Sequence, residues 1–142
     1  MEQNRNTKNS CYTYFRISGE FDPDEVTALL GLQPDQSWKS GDLRRDGTAY
    51  DFSHWLFGRC DEYSILVEEQ MRKTILPLLD KVGELNQIRE HHDVSFFLEI
   101  VPALYVGETN PCLAPPLDVI DFCHATRTEI DIDLYLMDAD EE

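Results

Sequence analysis

The residues best suited to bind a ligand or a partner lie in the segment 36–58. Its candidate residues are the two tryptophans and four basic side chains: Trp38, Lys39, Arg44, Arg45, His54 and Trp55. Tryptophan and arginine are enriched at interface hot spots, and arginine pairs well with anions. We therefore take these six residues as a candidate ligand- or partner-binding site. The alternative is that both tryptophans belong to the core and that the basic residues only offset Asp42 and Asp46.

The histidines and the acidic residues give two weaker candidates for metal binding. His91 and His92 precede Asp93, but adjacent side chains at a helix end diverge, and the i, i+4 ligand spacing is missing. Asp131 and Asp133 would share one face of a strand, where two carboxylates could hold a cation. Solvated strand faces have the same pattern. We therefore predict no metal site and interpret these residues as surface residues.

No catalytic set is recognisable in the sequence. Cys60 or Cys123 could act as a nucleophile beside a histidine, but Cys123 and His124 are neighbours on a predicted helix, so their side chains diverge. The chain contains no Gly-x-Ser-x-Gly motif, no Gly-x-Gly-x-x-Gly motif and no Walker loop. We predict no catalytic residues and no cofactor, and we favour a protein that is not an enzyme.

The charge balance excludes some partners and favours others. Asp and Glu number 28 against 12 Lys and Arg, which gives 142 residues a formal net charge of −16. A surface this acidic repels phosphate backbones and anionic lipids, so we expect no binding to nucleic acid or membrane. It attracts a basic protein surface and accelerates their association. The simpler alternative is that the charge only serves solubility.

The composition also predicts the compartment. The N-terminal residues are polar, no apolar run approaches the roughly 20 residues that a membrane span requires, and the four cysteines form no C-x-x-C pair. We expect a cytoplasmic protein with reduced thiols, in which residues 11–137 form a single domain. Residues 1–10 would be a flexible tail and residues 138–142 an acidic one.

Local signals predict the elements of the first half. Residues 11–18 alternate as a strand that Gly19 ends, and Asp22-Pro23 caps a short helix that Gly31 stops. Residues 36–58 should form a hairpin, because Asp46-Gly47 suits a tight turn with positive φ.

The second half should supply the long helix and the central strand. Apolar residues recur at helical spacing from about residue 64 to 85, with Pro77 kinking or dividing the helix and Gly83 ending its first piece. A second short helix would cover residues 84–91. Residues 95–101 form the most apolar strand, and residues 102–116 a loop.

The C-terminal region should add one helix and one strand. Residues 116–125 predict a helix with Leu117, Ile120 and His124 facing inward. Residues 129–136 alternate, so the isoleucines and leucines would face the core. The order of the first six elements is that of a ferredoxin-like two-layer sandwich. This α+β fold has a mainly antiparallel sheet with helices on one face, here extended by a C-terminal helix and strand.

Several segments taken in order resemble a bacterial family, the domain of unknown function 4279. The matching stretches cover residues 12–19 (YTYFRISG), 22–27 (DPDEVT), 30–34 (LGLQP), 38–41 (WKSG), the Trp55 strand and 130–135 (IDIDLY). The resemblance extends over residues 11–137. It implies one domain and brings no established reaction or catalytic residue.

Two hypotheses for function follow. The first is a non-enzymatic, acidic protein-binding module that docks a basic protein partner, as inhibitor or immunity proteins of toxins do. The alternative is a small-ligand-binding or enzymatic site between the 36–58 hairpin and the 102–116 loop. A ligand-sized pocket that contains the hairpin residues would favour the alternative.

Overall fold

Strands and helices follow one another in nearly the predicted order. The computed structural model describes residues 7–138. Its strands are β1 (Ser10–Glu20), β2 (Gln36–Trp38), β3 (Ser53–Cys60), β4 (Asp93–Tyr105), β5 (Glu129–Ile132) and β6 (Tyr135–Met137). Its helices are α1 (Pro23–Leu30), α2 (Val67–Ile75), α3 (Val82–His91) and α4 (Leu117–Thr126), and a 3-10 helix (Leu76–Lys81) joins α2 to α3.

Within the described range the strands form one mixed sheet. The order is β2-β3-β1-β4-β5, and β6 also pairs with β4. The pairings among β1 to β4 are antiparallel, whereas β5 and β6 run parallel to β4. The fold is therefore α+β, as expected, but the last two strands make the sheet mixed.

The helices pack on the side of the sheet to which Thr13, Phe15 and Trp55 point. Thr13 Oγ1 lies 2.8 Å from Thr74 Oγ1 of α2, and the Phe15 ring contacts that of Phe122 of α4. Trp55 Nε1 donates to Thr27 Oγ1 of α1 at 3.0 Å. Burial of one face of β1, β3 and β4 against these helices creates the core.

The local signals of the first half are confirmed, with one extension. The Asp22 side chain accepts a hydrogen bond from Asp24 N at 2.9 Å, and Gly31 ends α1 with a φ of 67°. The turn of the hairpin has Gly47 at a φ of 87°. Gly19 does not end β1, because at a φ of 143° its missing side chain lets β4 approach. A Cβ there would lie 2.2 Å from Asp93 O.

The long helical stretch is interrupted at the predicted proline. The α2 helix ends at Ile75, and Pro77 lies in the 3-10 helix, so two helices meet instead of one that bends. The α2 helix begins at Val67, later than expected. Gly83 lies in the first turn of α3 and ends nothing, so that prediction is wrong.

The central strand is longer than its apolar run. The β4 strand continues through the buried Pro102 to Tyr105, so the connecting loop begins after Tyr105 and not at residue 102. Pro102 is opposite Cys11 of β1. Pairing with β1 and then with β6 keeps this half of the strand extended.

The C-terminal elements are present, but their predicted inward faces are wrong. In α4, Leu117 is 77% and Ile120 40% exposed, and His124 is exposed, whereas Val119, Phe122 and Cys123 are buried. The predicted last strand is two short strands, and its apolar residues remain largely outside the core. Leu134 is 46% and Leu136 76% exposed, because no described helix covers this edge.

The predicted tails fall partly outside the described residues. Residues 1–6 and 139–142 lie outside them. Asn9, however, is buried, and its side chain accepts from Tyr105 N at 2.7 Å and donates to Thr109 O at 3.0 Å. The ordered fold therefore includes the last residues of the expected N-terminal tail.

Candidate functional site

The face of the sheet opposite the helices carries the polar side chains and forms a groove. We call it the open face. Since side chains alternate along a strand, the residues between the core positions of β1, β3 and β4 all point here. The groove has a volume of about 420 Å³. It is lined by Tyr14, Arg16, Gln36, Trp38, Phe52, His54, Leu56, Glu99, Asp131 and Asp133.

An ion pair between adjacent strands lies in the middle of the groove. Arg16 Nε of β1 donates to Glu99 Oε2 of β4 at 2.7 Å, and the two side chains are 25% and 4% exposed. The guanidinium carbon of Arg16 lies 4.0 Å from the centre of the Phe97 ring. Stacking and pairing together fix the arginine against the sheet.

The Glu99 carboxyl group is hydrogen-bonded to the carboxyl group of Asp131. Burial raises the pKa of Glu99 to about 7, and the hydrogen-bonded Asp131 adds to that rise, while Arg16 opposes it. Asp133 follows on the same side and accepts a hydrogen bond from Tyr135 Oη at 3.2 Å. Three carboxyl groups therefore line this part of the groove, and the Arg16 guanidinium pairs with that of Glu99.

His54 supplies the other buried polar group of the groove. It is 6% exposed, and burial lowers its pKa to about 4, with the positive charge of Arg16 acting in the same direction. The imidazole is thus neutral at pH 7. Its Nε2 atom has no hydrogen-bond partner within residues 7–138. A buried polar atom without a partner is uncommon in folded proteins.

A stack of rings covers His54. Trp38 lies parallel to His54 on one side and to Tyr50 on the other, with ring centres 4.1 Å apart in both pairs. The Arg44 guanidinium lies 4.4 Å from the centre of Tyr50, and Trp38 Nε1 donates to Phe52 O at 3.0 Å. Both faces of Trp38 are therefore occupied, so only its edge is available to a ligand.

A comparison with protein-family models finds a match that covers nearly the whole chain. The family model described as Domain of unknown function (DUF4279) matches residues 9–137. The chain belongs to the DUF4279 family. Among curated proteins no match to this DUF4279 chain is found. No solved structure matches it either.

The hairpin of this DUF4279 domain unites half of the predicted site. Trp38, Arg44 and His54 join one stack, and two of them line the groove. Lys39 and Arg45 are exposed and do not line it, and Lys39 Nζ is 3.8 Å from Asp22 Oδ2. Trp55 is fully buried on the helix side, so its assignment to the site is wrong. Because side chains alternate along β3, Trp55 points away from the face of the sheet to which His54 points.

The open-face groove of this DUF4279 domain does not extend to the 102–116 loop. Ser53 is beside Gly19, which pairs with Val94 at the start of β4, whereas the loop follows the end of that strand. The β3 arm of the hairpin runs toward the loop end of the sheet, since Phe57 pairs with Phe15 and Phe15 with Leu98, but no residue of 102–116 lines the open-face groove. Thr109, Asn110, Pro111 and Cys112 instead help to line a different cavity.

Three central residues of the groove escaped the sequence analysis: Tyr14, Arg16 and Glu99. The sequence does contain a signal for two of them. Glu99 is the single charged residue in the apolar run 95–101, and Arg16 is the single charged residue in the strand predicted at 11–18. A charge inside a buried strand needs a partner. Asp131 and Asp133, interpreted as solvated, lie beside that pair.

The remaining candidates are not assembled into a reactive site in the DUF4279 domain. Burial raises the pKa of Cys123 to about 11 and that of Cys11 to about 12, which keeps both thiols protonated. Among the described residues, no cluster of three or more His, Cys, Asp and Glu is placed to hold a metal ion. His91 and His92 line a separate groove between α1 and α3. No described helix is long and apolar enough to span a membrane.

Proposed function

We propose that this DUF4279 domain is a non-enzymatic binding module whose open face docks a positively charged protein. The observation that carries the proposal is the composition of that face. Tyr14 and Arg16 lie beside three carboxyl groups on a sheet surface that no described helix covers. Tyrosine and arginine are the residues that dominate binding energy at protein interfaces.

Charge favours a basic partner over other classes. The chain has a net charge of −16, and the groove itself holds three carboxyl groups against one guanidinium. Complementary charge accelerates association and makes it sensitive to salt. A basic toxin or enzyme neutralised by this surface would make the protein inhibitor- or immunity-like.

The test is affinity capture of partners at two salt concentrations. Tagged wild-type protein, Asp131→Asn and Asp121→Asn are used as baits, and the retained proteins are identified and then purified for direct binding. Asp121 is exposed on α4, away from the groove, so this variant controls for one lost charge. We expect one basic partner that high salt releases and that Asp131→Asn binds more weakly. Equal binding by both variants would contradict the assignment to the open face.

A second candidate is a small-ligand or enzymatic site in the same groove. It is favoured by one observation, the raised pKa of Glu99 in the same groove as His54, whose Nε2 atom is unpartnered. Groups with strongly shifted pKa values in a cleft are typical of ligand-binding and catalytic sites. Thermal-shift screening of small molecules with wild-type protein and Glu99→Gln tests it. A ligand that stabilises only the wild type supports this candidate, and its absence leaves the protein-binding proposal.

Two further properties accompany the proposal. We infer that β1 to β4 with α1 to α3 are a ferredoxin-like unit, supported by the antiparallel order β2-β3-β1-β4 and by helices on one face. We also infer a bacterial cytoplasmic protein, supported by the free thiols of Cys11, Cys60, Cys112 and Cys123.

A further inference from the structure

The last two strands form one continuous edge of the sheet. Both β5 and β6 pair with β4 in the same register, each residue lying beside the one 32 positions earlier. Between the two strands, the Asp133 N–H donates to Ile100 O at 2.8 Å and continues the ladder. The short gap lies opposite Pro102, which has no N–H to donate. Residues 129–137 therefore act as a single edge segment beside β4.

The outer side of this edge segment has no partner strand. Within the described part of the chain, β5 is last in the sheet and β6 pairs with β4 alone. Backbone groups of successive residues in a strand point to opposite sides. Because the Asp133 N–H points to β4, the N–H and C=O groups of residues 130, 132, 134 and 136 point outward. Backbone groups require hydrogen bonds, so this edge can accept a further strand.

The side chains of the edge segment alternate between aliphatic and acidic. On the helix side, the exposed fraction rises from 44% at Ile132 to 46% at Leu134 and 76% at Leu136. The side chains on the open face include three exposed carboxyl groups, those of Glu129, Asp131 and Asp133. An added strand therefore has apolar neighbours along one of its faces and negative charges along the other.

Charge decides which kind of strand can fill this edge. Two copies of the chain paired antiparallel about Ile132 would place Asp131 opposite Asp133 of the other copy, and like charges in opposite positions are destabilising. Pairing about Leu134 avoids that contact, but each copy still carries a net charge of −16, which opposes their approach. A basic strand meets neither obstacle, because its cationic side chains form favourable pairs with the carboxyl groups.

We propose that a segment of the basic partner adds to the sheet as a strand beside residues 129–137. Lysine or arginine at its alternate positions lies beside the carboxyl groups, and the aliphatic residues between them cover the exposed isoleucine and leucines. This inference rests on the proposed function and names the segment of the partner and its mode of binding. Hydrogen bonds to the outward backbone groups supply affinity, and the alternating side chains supply selectivity.

The test uses peptides that share their charge and side chains and differ in their backbone. The parent peptide alternates lysine and valine over seven residues, with both ends blocked. One isomer carries methyl groups on three lysine backbone nitrogens and the other on three valine backbone nitrogens. Only one row of N–H groups in an added strand faces the edge. We therefore expect one isomer to bind like the parent and the other about tenfold more weakly, as measured by NMR titration. Equal binding by both isomers would overturn the proposal.

Amide hydrogen exchange locates the contact on the protein. In the free protein the Asp133 N–H is bonded to Ile100 O, whereas the N–H groups of Ile132 and Leu134 point away from the sheet. We expect fast exchange at Ile132 and Leu134, and the parent peptide should slow it about tenfold or more. Unchanged exchange at these two residues under saturating peptide would contradict strand addition.

A pair of variants at Leu134 separates the backbone from the side chain. Leu134→Pro removes one outward N–H, a change that edge strands tolerate where the N–H faces solvent. Leu134→Ala loses the side chain but keeps the N–H, so it is the matched control. We expect Leu134→Pro to bind the parent peptide about tenfold more weakly than Leu134→Ala. Urea denaturation checks that both fold, and the methylated peptides with wild-type protein decide the question if the proline variant does not.

The remaining outcomes separate this inference from its alternatives. A dimer of the wild type in sedimentation that Leu134→Pro dissociates would overturn the proposal, because a second copy would then fill the edge. A basic partner that both Leu134 variants capture equally overturns the inference and keeps the proposed function. Alternating protection by the parent peptide, with no protein captured, supports the edge as a strand-binding site and removes the proposed function.

Discussion

At the scale of single residues, the open face contains two buried groups whose pKa values are shifted in opposite directions. Glu99 has a pKa raised to about 7, so the folded state holds its proton more tightly than the unfolded state does. His54 has a pKa lowered to about 4, so the folded state disfavours its proton. The first effect makes stability fall as pH rises from about 4.5 to 7. The second makes it rise from about pH 4 to 6.5.

We predict that single variants reveal how each of these two groups changes the free energy of unfolding with pH. The free energy of unfolding of the wild type minus that of Glu99→Gln should fall by about 3 kcal/mol between pH 4.5 and 7. The same difference for His54→Gln should rise by a similar amount between pH 4 and 6.5, because the group removed there charges only on unfolding. Urea denaturation across this range measures both. A flat difference for Glu99→Gln would mean that its carboxyl group titrates normally.

The ring stack gives a second prediction at this scale. Trp38 covers His54, and burial is the first cause of the low pKa of that histidine. In Trp38→Ala we expect the pKa of His54 to rise from about 4 toward its ordinary value of 6.5. NMR titration of the imidazole protons measures it. Trp55→Phe, on the helix side, is the control that should leave this pKa unchanged.

At the scale of elements, two glycines occupy opposite kinds of helix position. Gly83 is the second residue of α3, and a Cβ there would meet no atom within 4 Å. We predict that Gly83→Ala raises the free energy of unfolding by about 0.5–1 kcal/mol, because alanine loses less backbone entropy in a helix. Urea midpoints measure the change. If Gly83 instead ended a helix in the left-handed conformation, the substitution would destabilise.

The matched comparison is Gly31→Ala at the end of α1. Gly31 also has open space around its Cα, but its φ is 67°. Alanine in that conformation costs about 1–2 kcal/mol, so we expect the opposite sign from Gly83→Ala. The pair therefore tests conformation alone.

At the scale of the whole molecule, the net charge of −16 works against the compact state. The described ion pairs are few and, apart from Arg16–Glu99, well exposed. Such pairs contribute little to stability, so screening their attraction with salt costs little free energy of unfolding. We predict that raising NaCl from about 0.05 to about 0.5 M increases the free energy of unfolding by on the order of 1 kcal/mol at pH 7.

The control for this salt effect is pH. Near the isoelectric point of about 4.4 the net charge vanishes, and the same addition of salt should change stability little. Denaturation at both pH values measures the contrast. A loss of stability with salt at pH 7 would show that attraction between charges outweighs repulsion.

Local sequence determined the elements that depend on neighbouring residues. The Asp22-Pro23 cap, the Asp46-Gly47 turn and the interruption at Pro77 act within a few residues, and the structure has all three. Alternation in residues 11–18 likewise fixed which face of β1 is buried, because side-chain direction in a strand follows from the backbone alone. The family was recognisable for the same reason, since its motifs are local.

Tertiary structure decided what depends on contacts between distant segments. The alternation of residues 129–136 predicted a buried face, but an edge position beside β4 leaves Leu136 exposed. Pro102 predicted a loop, yet pairing with β1 keeps it in a strand. The groove arises in the same way, because Arg16, Glu99 and Asp131 meet only when β1 and β5 pair on opposite sides of β4. No spacing in the chain encodes that meeting.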